Sequence, residues 1–365
     1  MIRCIQCGAP FPEEGLPFIC PSCDGLFDFV DLPHINTQLI EHDLPGIWKY
    51  RHTFDDGMNV PILSLGEGNT PLVADEYDGM IIGYKLEGSN PSGSYKDRVM
   101  SVIMSKVLSR GITEAVEDSS GNAGAAFAAY GARAGIDATV FFPASLSRSK
   151  ARQIKIYGAK LKLIDGPRSA ASDAVFKAAK SGVAYASHAY LPFGLRGIAT
   201  MAYELWVQYG KTAPGTIISP IGHGHLLRGI MDGFGALKKS GYIENEPYYV
   251  GVQPENCAPV WVAWKQGLRA MASVVEKKTI AEGTNVVNPL QAAQLLERVK
   301  GGQGEFITVS EEDILIAFYE LAKRGIYTEP TSAMTWAALK KIGHQLPQPI
   351  VLILTGTGLK YTIKD

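Results

Sequence analysis

The stretch Lys85-Leu-Glu-Gly-Ser-Asn-Pro-Ser-Gly-Ser-Tyr-Lys96-Asp-Arg98 decides how this chain is read. The apolar run Met80 to Leu86 enters it as a buried strand, and helical spacing over 95–109 leaves it, so Lys96 falls at a helix start. Ser94 and Asp97 fit a capping box that fixes Lys96 in the first turn. There the helix dipole disfavours the ammonium form and favours the neutral amine, the form that acts as a nucleophile. A lone lysine beside a helix cap is most often an exposed surface residue, so its meaning rests on its neighbours.

Working outward, the same strand-turn-helix grammar recurs. Ala138 to Phe142, Lys160 to Ile164, Thr216 to Ser219, Tyr248 to Val252 and Ile350 to Leu354 read as buried strands. Helical spacing covers 122–134, 146–157, 168–181, 197–209, 226–239, 310–324 and 331–342. Strands alternating with helices predict an α/β chain with mostly parallel sheets covered on both faces. Three junctions carry small residues where an anion can meet free helix N–H groups. The first is Glu117-Asp-Ser-Ser-Gly-Asn-Ala-Gly124, suited to a carboxylate, with Asn122 as a neutral donor. The second, Ser219-Pro-Ile-Gly-His-Gly-His-Leu-Leu-Arg-Gly229, is suited to a phosphate. The third, Leu354-Thr-Gly-Thr-Gly-Leu-Lys360, is a strand ending in glycines. Each alone reads as an ordinary structural turn.

At 365 residues, with 46% hydrophobic residues and 39 glycines, the chain exceeds a single core and predicts two α/β lobes plus a small module. The module is N-terminal: Cys4-Ile-Gln-Cys7 and Cys20-Pro-Ser-Cys23 converge as a zinc ribbon, with Gly8 and Gly25 easing the tight backbone. Cys257 stands apart and reads as a small core residue. The expected layout is a ribbon over 1–30, a connector over 31–66, a larger lobe from 67–110 and 190–365, and a smaller lobe over 111–189. A formal charge of −1, from 35 basic and 36 acidic residues, gives no support to a nucleic-acid or membrane-surface role. The start Met1-Ile-Arg-Cys-Ile lacks a signal-peptide profile and no apolar run spans a bilayer, so a cytoplasmic protein is expected.

In this order, the segments closely resemble threonine synthase and its relatives among the fold-type II pyridoxal 5'-phosphate (PLP) enzymes. The resemblance runs over nearly the whole chain. It rests on the ribbon, Gly66-Glu-Gly-Asn-Thr-Pro-Leu72, Asn90 to Arg98, Ser119 to Asn122, Glu329-Pro-Thr-Ser-Ala333 and Leu354 to Lys360. It implies that Lys96 holds PLP as a Schiff base and moves protons on the substrate. It further implies that Asn122 bonds the cofactor 3'-oxygen, and that Ser119, Ser120, Gly121, Asn122 and Ala123 cup the substrate carboxylate. By the same resemblance, Gly222, His223, Gly224, His225 and Leu226 hold the cofactor phosphate, and Thr355 meets the pyridine nitrogen. A neutral hydroxyl there does not enforce a protonated ring as an aspartate would. The implied reaction converts O-phosphohomoserine and water to threonine and phosphate, in a homodimer.

Several positions depart from the family pattern: Val99 where glycine is usual, Ala123 where threonine is common, His223 and His225 for small or amide residues, and Ala199 for lysine. These bear on the substrate's anion site, for which Arg98, Arg168 and Arg228 are candidates by position. The histidines are placed to bind phosphate, to exchange protons near neutral pH, or merely to bond neighbouring loops. Sibling activities therefore compete: β-replacement on phosphoserine, as in cysteate synthase, or ammonia elimination from serine, threonine or a diamino acid. A catalytically silent binding protein is the alternative of another class. RNA recruitment by the ribbon is disfavoured, since residues 1–31 carry one base, Arg3, against Glu13, Glu14, Asp24, Asp28 and Asp31.

Overall fold

A computed structural model describes residues 1–54, 59–119, 121–144, 148–166 and 168–361. In chain order the first elements are β1 (Ile2–Cys4), β2 (Phe27–Phe29), β3 (Leu72–Tyr77), β4 (Met80–Leu86), α1 (Lys96–Ser109), β5 (Glu114–Glu117) and α2 (Asn122–Ala134). Next come β6 (Asp137–Pro143), α3 (Arg148–Ile156), β7 (Lys160–Ile164), α4 (Arg168–Lys180), β8 (Ala184–Tyr185), α5 (Gly194–Gln208), β9 (Thr216–Pro220) and α6 (His225–Lys239). The chain closes with β10 (Tyr248–Pro254), α7 (Pro259–Lys265), α8 (Ala292–Val299), β11 (Gly304–Val309), α9 (Glu311–Lys323), α10 (Pro330–Ile342) and β12 (Ile350–Leu354).

Residues Met1–Gly68 and Lys96–Gly197 form one compact unit, and Asn69–Tyr95 and Ile198–Asp365 a second. In the second unit six strands are ordered β11-β10-β9-β12-β4-β3, all parallel except β3, which pairs antiparallel with β4. Every residue of β12, Ile-Val-Leu-Ile-Leu, is buried, as expected of a central parallel strand covered on both faces. Inside this unit the fully buried Lys85 ammonium meets Glu204 Oε2 at 2.8 Å and donates to the Thr70 carbonyl, while the Thr70 hydroxyl donates to buried Glu87 at 2.7 Å. The Gly66–Leu72 and Lys85–Arg98 motifs thus share a buried polar anchor.

The first unit holds a four-stranded parallel sheet, β7-β6-β5-β8, and the two-stranded antiparallel ribbon β1-β2. The connector lies on α1. Trp48 is fully buried and its Nε1 donates to Ser101 Oγ at 2.8 Å, while Ser101 donates in turn to Glu67 Oε1. Glu67 also accepts from the Tyr130 hydroxyl at 2.7 Å. Burial first, then the Glu67 and Asp97 carboxylates, push the Tyr130 phenol far above its ordinary value, so it keeps its proton and donates. The ribbon is pinned by Phe18, which stacks on Phe176 at 5.2 Å and meets Tyr185 and Tyr190 edge-on. Aromatic packing therefore replaces the apolar core that so small a module lacks.

Candidate functional site

The four ribbon sulfurs lie within 4.8 Å of one another, with Cys4–Cys23 at 3.5 Å and Cys7–Cys20 at 3.7 Å. Zinc–thiolate bonds of about 2.3 Å in a tetrahedron require sulfurs about 3.8 Å apart, so the set fits that ion. Gly25 is compelled: a Cβ there would sit 2.8 Å from Cys4 Sγ and 3.2 Å from Cys23 Sγ. The Cys7 backbone N–H, working against burial, lowers the Cys4 thiol to about 6, while the neighbouring sulfurs and burial outweigh the Gly25 N–H and raise Cys23 to about 12, so one sulfur holds the charge at the other's expense. Cys257 is 1% exposed and lies outside this cluster.

Lys96 opens α1 in the first unit, with Asp97 beside it in the first turn. The carboxylate loop leads from β5 into α2. Gly121 N donates to Ser119 Oγ at 3.3 Å, and Ala125 N closes the first turn on the Gly121 carbonyl. Gly124 must be glycine, because a Cβ would fall 1.8 Å from the Ser119 carbonyl oxygen; one on Gly121 would meet nothing within 4 Å. The helix start is therefore drawn tight against the loop while the Gly121 side is open. Asn122 is the first residue of α2, and Ala123 is buried behind it. Ser120 lies outside the described residues, as does the side chain of Arg168.

Residues beside this loop escaped the sequence reading. Buried Glu117, the last residue of β5, accepts from His188 Nδ1 at 2.7 Å. Asp118 accepts from Ser172 at 2.5 Å and from the Tyr185 hydroxyl at 2.7 Å. The carboxyl end of a parallel sheet is where open α/β folds bind ligands. No spacing rule links residue 117 to residue 188, so only the pairing of β5 with β8 reveals the dyad.

In the second unit, the turn 221–225 joins β9 to α6. Gly224 is the N-cap with φ +94°, so no side chain caps the first-turn N–H groups of this 15-residue helix. A Cβ on Gly222 would meet the Gly283 carbonyl oxygen at 2.6 Å. Gln291 N donates to the His223 carbonyl, and the His225 Nε2 edge lies 3.3 Å from Gln291 Nε2. Arg228 is paired with Asp232 at 2.9 Å, a carboxylate that also meets Arg298 at 3.6 Å, and donates to Gln291 Oε1. Arg98 is fully buried in the first unit. Gly233 of α6 lies so close to α5 that a Cβ would sit 2.5 Å from the Ala199 carbonyl oxygen, so this helix contact requires the glycine.

Thr355 directly follows β12 and is 2% exposed. Its hydroxyl donates to Glu329 Oε1 at 2.6 Å and lies 3.0 Å from Ser332 Oγ. The lysine segment runs along this strand end, with Tyr95 N donating to the Thr355 carbonyl and Thr357 N to the Gly93 carbonyl. A cavity of about 280 Å³ bounded by Phe11, Phe29, Phe54, Phe193 and Lys106 lies in the first unit and contains none of the expected site residues.

The model of the family described as pyridoxal-phosphate dependent enzyme matches residues 63–356. The chain belongs to that family. It is 32% identical to the threonine synthase of Methanosarcina acetivorans over 98% of this chain and 92% of the relative. The threonine synthase of Methanocaldococcus jannaschii gives the same identity and coverage. Maize serine racemase shares the fold with a TM-score of 0.69, at 21% identity over 79% of this chain and 88% of that one. The α/β architecture expected from sequence is therefore that of fold-type II PLP enzymes. The residues present fit the cofactor: the glycine-capped start of α6 could hold its phosphate, and the buried Thr355 hydroxyl could meet a ring heteroatom.

Proposed function

We propose that the chain is a threonine synthase-like lyase that converts O-phosphohomoserine and water to threonine and phosphate. The observation that carries this reading is the end-to-end match with threonine synthases, which spans 98% of the chain. When bound, PLP supplies an electron sink that makes protons on the α and β carbons of an amino acid removable. The Lys96 amine holds the cofactor and then takes and returns protons on one face of the substrate. The N–H groups that open α2, with Ser119 and Asn122, hold the substrate carboxylate, and Gly121 leaves it room. The start of α6, from Gly222 to Leu226, holds the cofactor phosphate.

His188, whose Nδ1 lies 2.7 Å from Glu117 at the end of β5, is the candidate contact for the leaving phosphate. The same reading takes the ribbon ion as zinc, one per chain, and the protein as a cytoplasmic homodimer; metal analysis and sedimentation check the ion and the assembly. β-Replacement on phosphoserine, the sibling reaction, is the second reading.

A spectral titration of the holoenzyme with O-phosphohomoserine, phosphoserine, serine and threonine, combined with phosphate assay, separates these readings. Phosphate and threonine formed from O-phosphohomoserine are the expected products. Phosphate from phosphoserine alone moves the assignment to the sibling reaction, and phosphate from neither overturns both.

A further inference from the structure

The cavity of about 280 Å³ in the first unit has no role in the scheme above, and its walls come from separate pieces of chain. α1 contributes Val102, Lys106 and Arg110, which recur every four residues and so form one stripe of the helix that Lys96 opens. The ribbon contributes Phe11 and Phe29, the connector Phe54, and the chain entering α5 Phe193 and Arg196. The rings supply the apolar surface, with Phe11 meeting Phe193 edge-on at 5.2 Å.

Positive charge is built into the same walls. Arg196 is 2% exposed, with its guanidinium carbon 3.7 Å from the centre of the Phe29 ring and one amino group donating to the Asp31 carbonyl at 2.9 Å. Lys106 is 8% exposed, with its ammonium 5.4 Å from the centre of the Phe193 ring. Arg110 donates to the Pro12 and Gly15 carbonyls at 3.0 Å each. Among the described lining residues these three cationic side chains stand against one carboxylate, Glu13. An anion inside therefore meets charges that are already placed and shielded from water, where attraction is stronger than at a surface. A small hydrated anion alone would lose water against the rings without gaining a partner there. The volume is near the lower end of small-molecule pockets, about 300 Å³, and exceeds the roughly 150 Å³ of an apolar cavity that takes up benzene. One ring with a short acidic arm fits.

We propose that this cavity is a binding site for a small carboxylate that carries one aromatic ring. The cations take the carboxylate, and the phenylalanine rings take the apolar body. Such a ligand touches the ribbon and α1 together, so its binding favours the docked ribbon and stabilises the first unit. The site shares no residue with the expected cofactor and substrate positions, and it stands whether or not the threonine synthase-like reading holds.

Calorimetric titration of the holoenzyme with phenylacetate, phenylacetamide and acetate tests the two requirements separately, because the amide keeps the ring without the charge and acetate the charge without the ring. Phenylacetate is expected to bind once per chain and to raise Tm, and each of the other two to bind at least about tenfold more weakly. Lys106→Met is expected to weaken phenylacetate about tenfold, and Val102→Phe, which fills the cavity, to abolish its binding. Hydrogen exchange of wild type locates the probe without any variant, with added protection expected over 2–12 and 102–110. No binding of phenylacetate, equal binding of phenylacetamide or acetate, an affinity unchanged in both variants, or protection confined to the carboxylate loop at 117–124 overturns the proposal. Should a variant fail to fold, the two control probes and the exchange pattern decide.

Discussion

At the scale of single residues, glycines and buried donors determine what the site can hold. Gly124 allows α2 to begin against the Ser119 carbonyl, and an added methyl at 1.8 Å can be accommodated only by moving backbone. Gly124→Ala should therefore cost about 1–3 kcal/mol, as overpacking does, and raise KM for the amino acid more than it lowers cofactor affinity. Thermal unfolding and substrate titration of the same preparation check both halves. Lys96→Ala should abolish turnover and the visible absorption of the bound cofactor while leaving circular dichroism intact, because the residue opens a helix whose interior is packed independently of it. The place of Lys96 at the start of α1 was legible from its segment, while the roles given to Thr355 and Asn122 come from the resemblance. Glu117 with His188 was not, because the partners are brought together by strand pairing and not by local sequence.

At the scale of elements, the ribbon and β12 show two ways of stabilising a small unit of structure. The ribbon has a few buried residues around its sulfurs and is held by Phe18 and, on the proposed reading, by an ion. Phe18→Ala removes a 7% exposed ring from an aromatic cluster and should destabilise the first unit by about 3–5 kcal/mol. Chelation should loosen the same contacts. Hydrogen exchange across 1–30 and 172–190 checks this, with protection falling in both segments on either treatment. The apolar run of β12 was plain in the sequence because a central parallel strand buries every side chain. Edge strand β3 hid itself for the opposite reason: its residues are half-buried or exposed, so Leu-Val-Ala-Asp-Glu-Tyr lacks an apolar run. The eight residues of α8 are too few to establish a helical period.

At the scale of the whole molecule, a near-zero net charge leaves acid stability to individual paired carboxylates. Asp75 illustrates the sign. Burial would raise its value, but the Arg324 guanidinium and the Glu76 N–H hold it below the ordinary carboxylate range. A depressed folded value contributes stability above the unfolded value of about 3.9 and loses it as pH falls through the folded value. Asp75→Asn should therefore lower Tm at neutral pH, and its Tm should converge with wild type in strong acid; a Tm difference independent of pH would contradict this. What the sequence by itself determined is the alternation of strand and helix, the lysine at a helix start, the four metal-spaced cysteines and the family. Each is written in local periodicity or in motifs a few residues long. Only the tertiary structure decided that Glu117 meets His188, that Gly233 packs against the Ala199 backbone, and that the hydroxyl of Thr355 meets Glu329. Those facts depend on which distant segments the fold brings within hydrogen-bond reach, and no local pattern encodes that distance. The Lys96 segment is read from sequence, but the hydrogen-bond partner of Thr355 is a carboxylate 26 residues earlier in the chain.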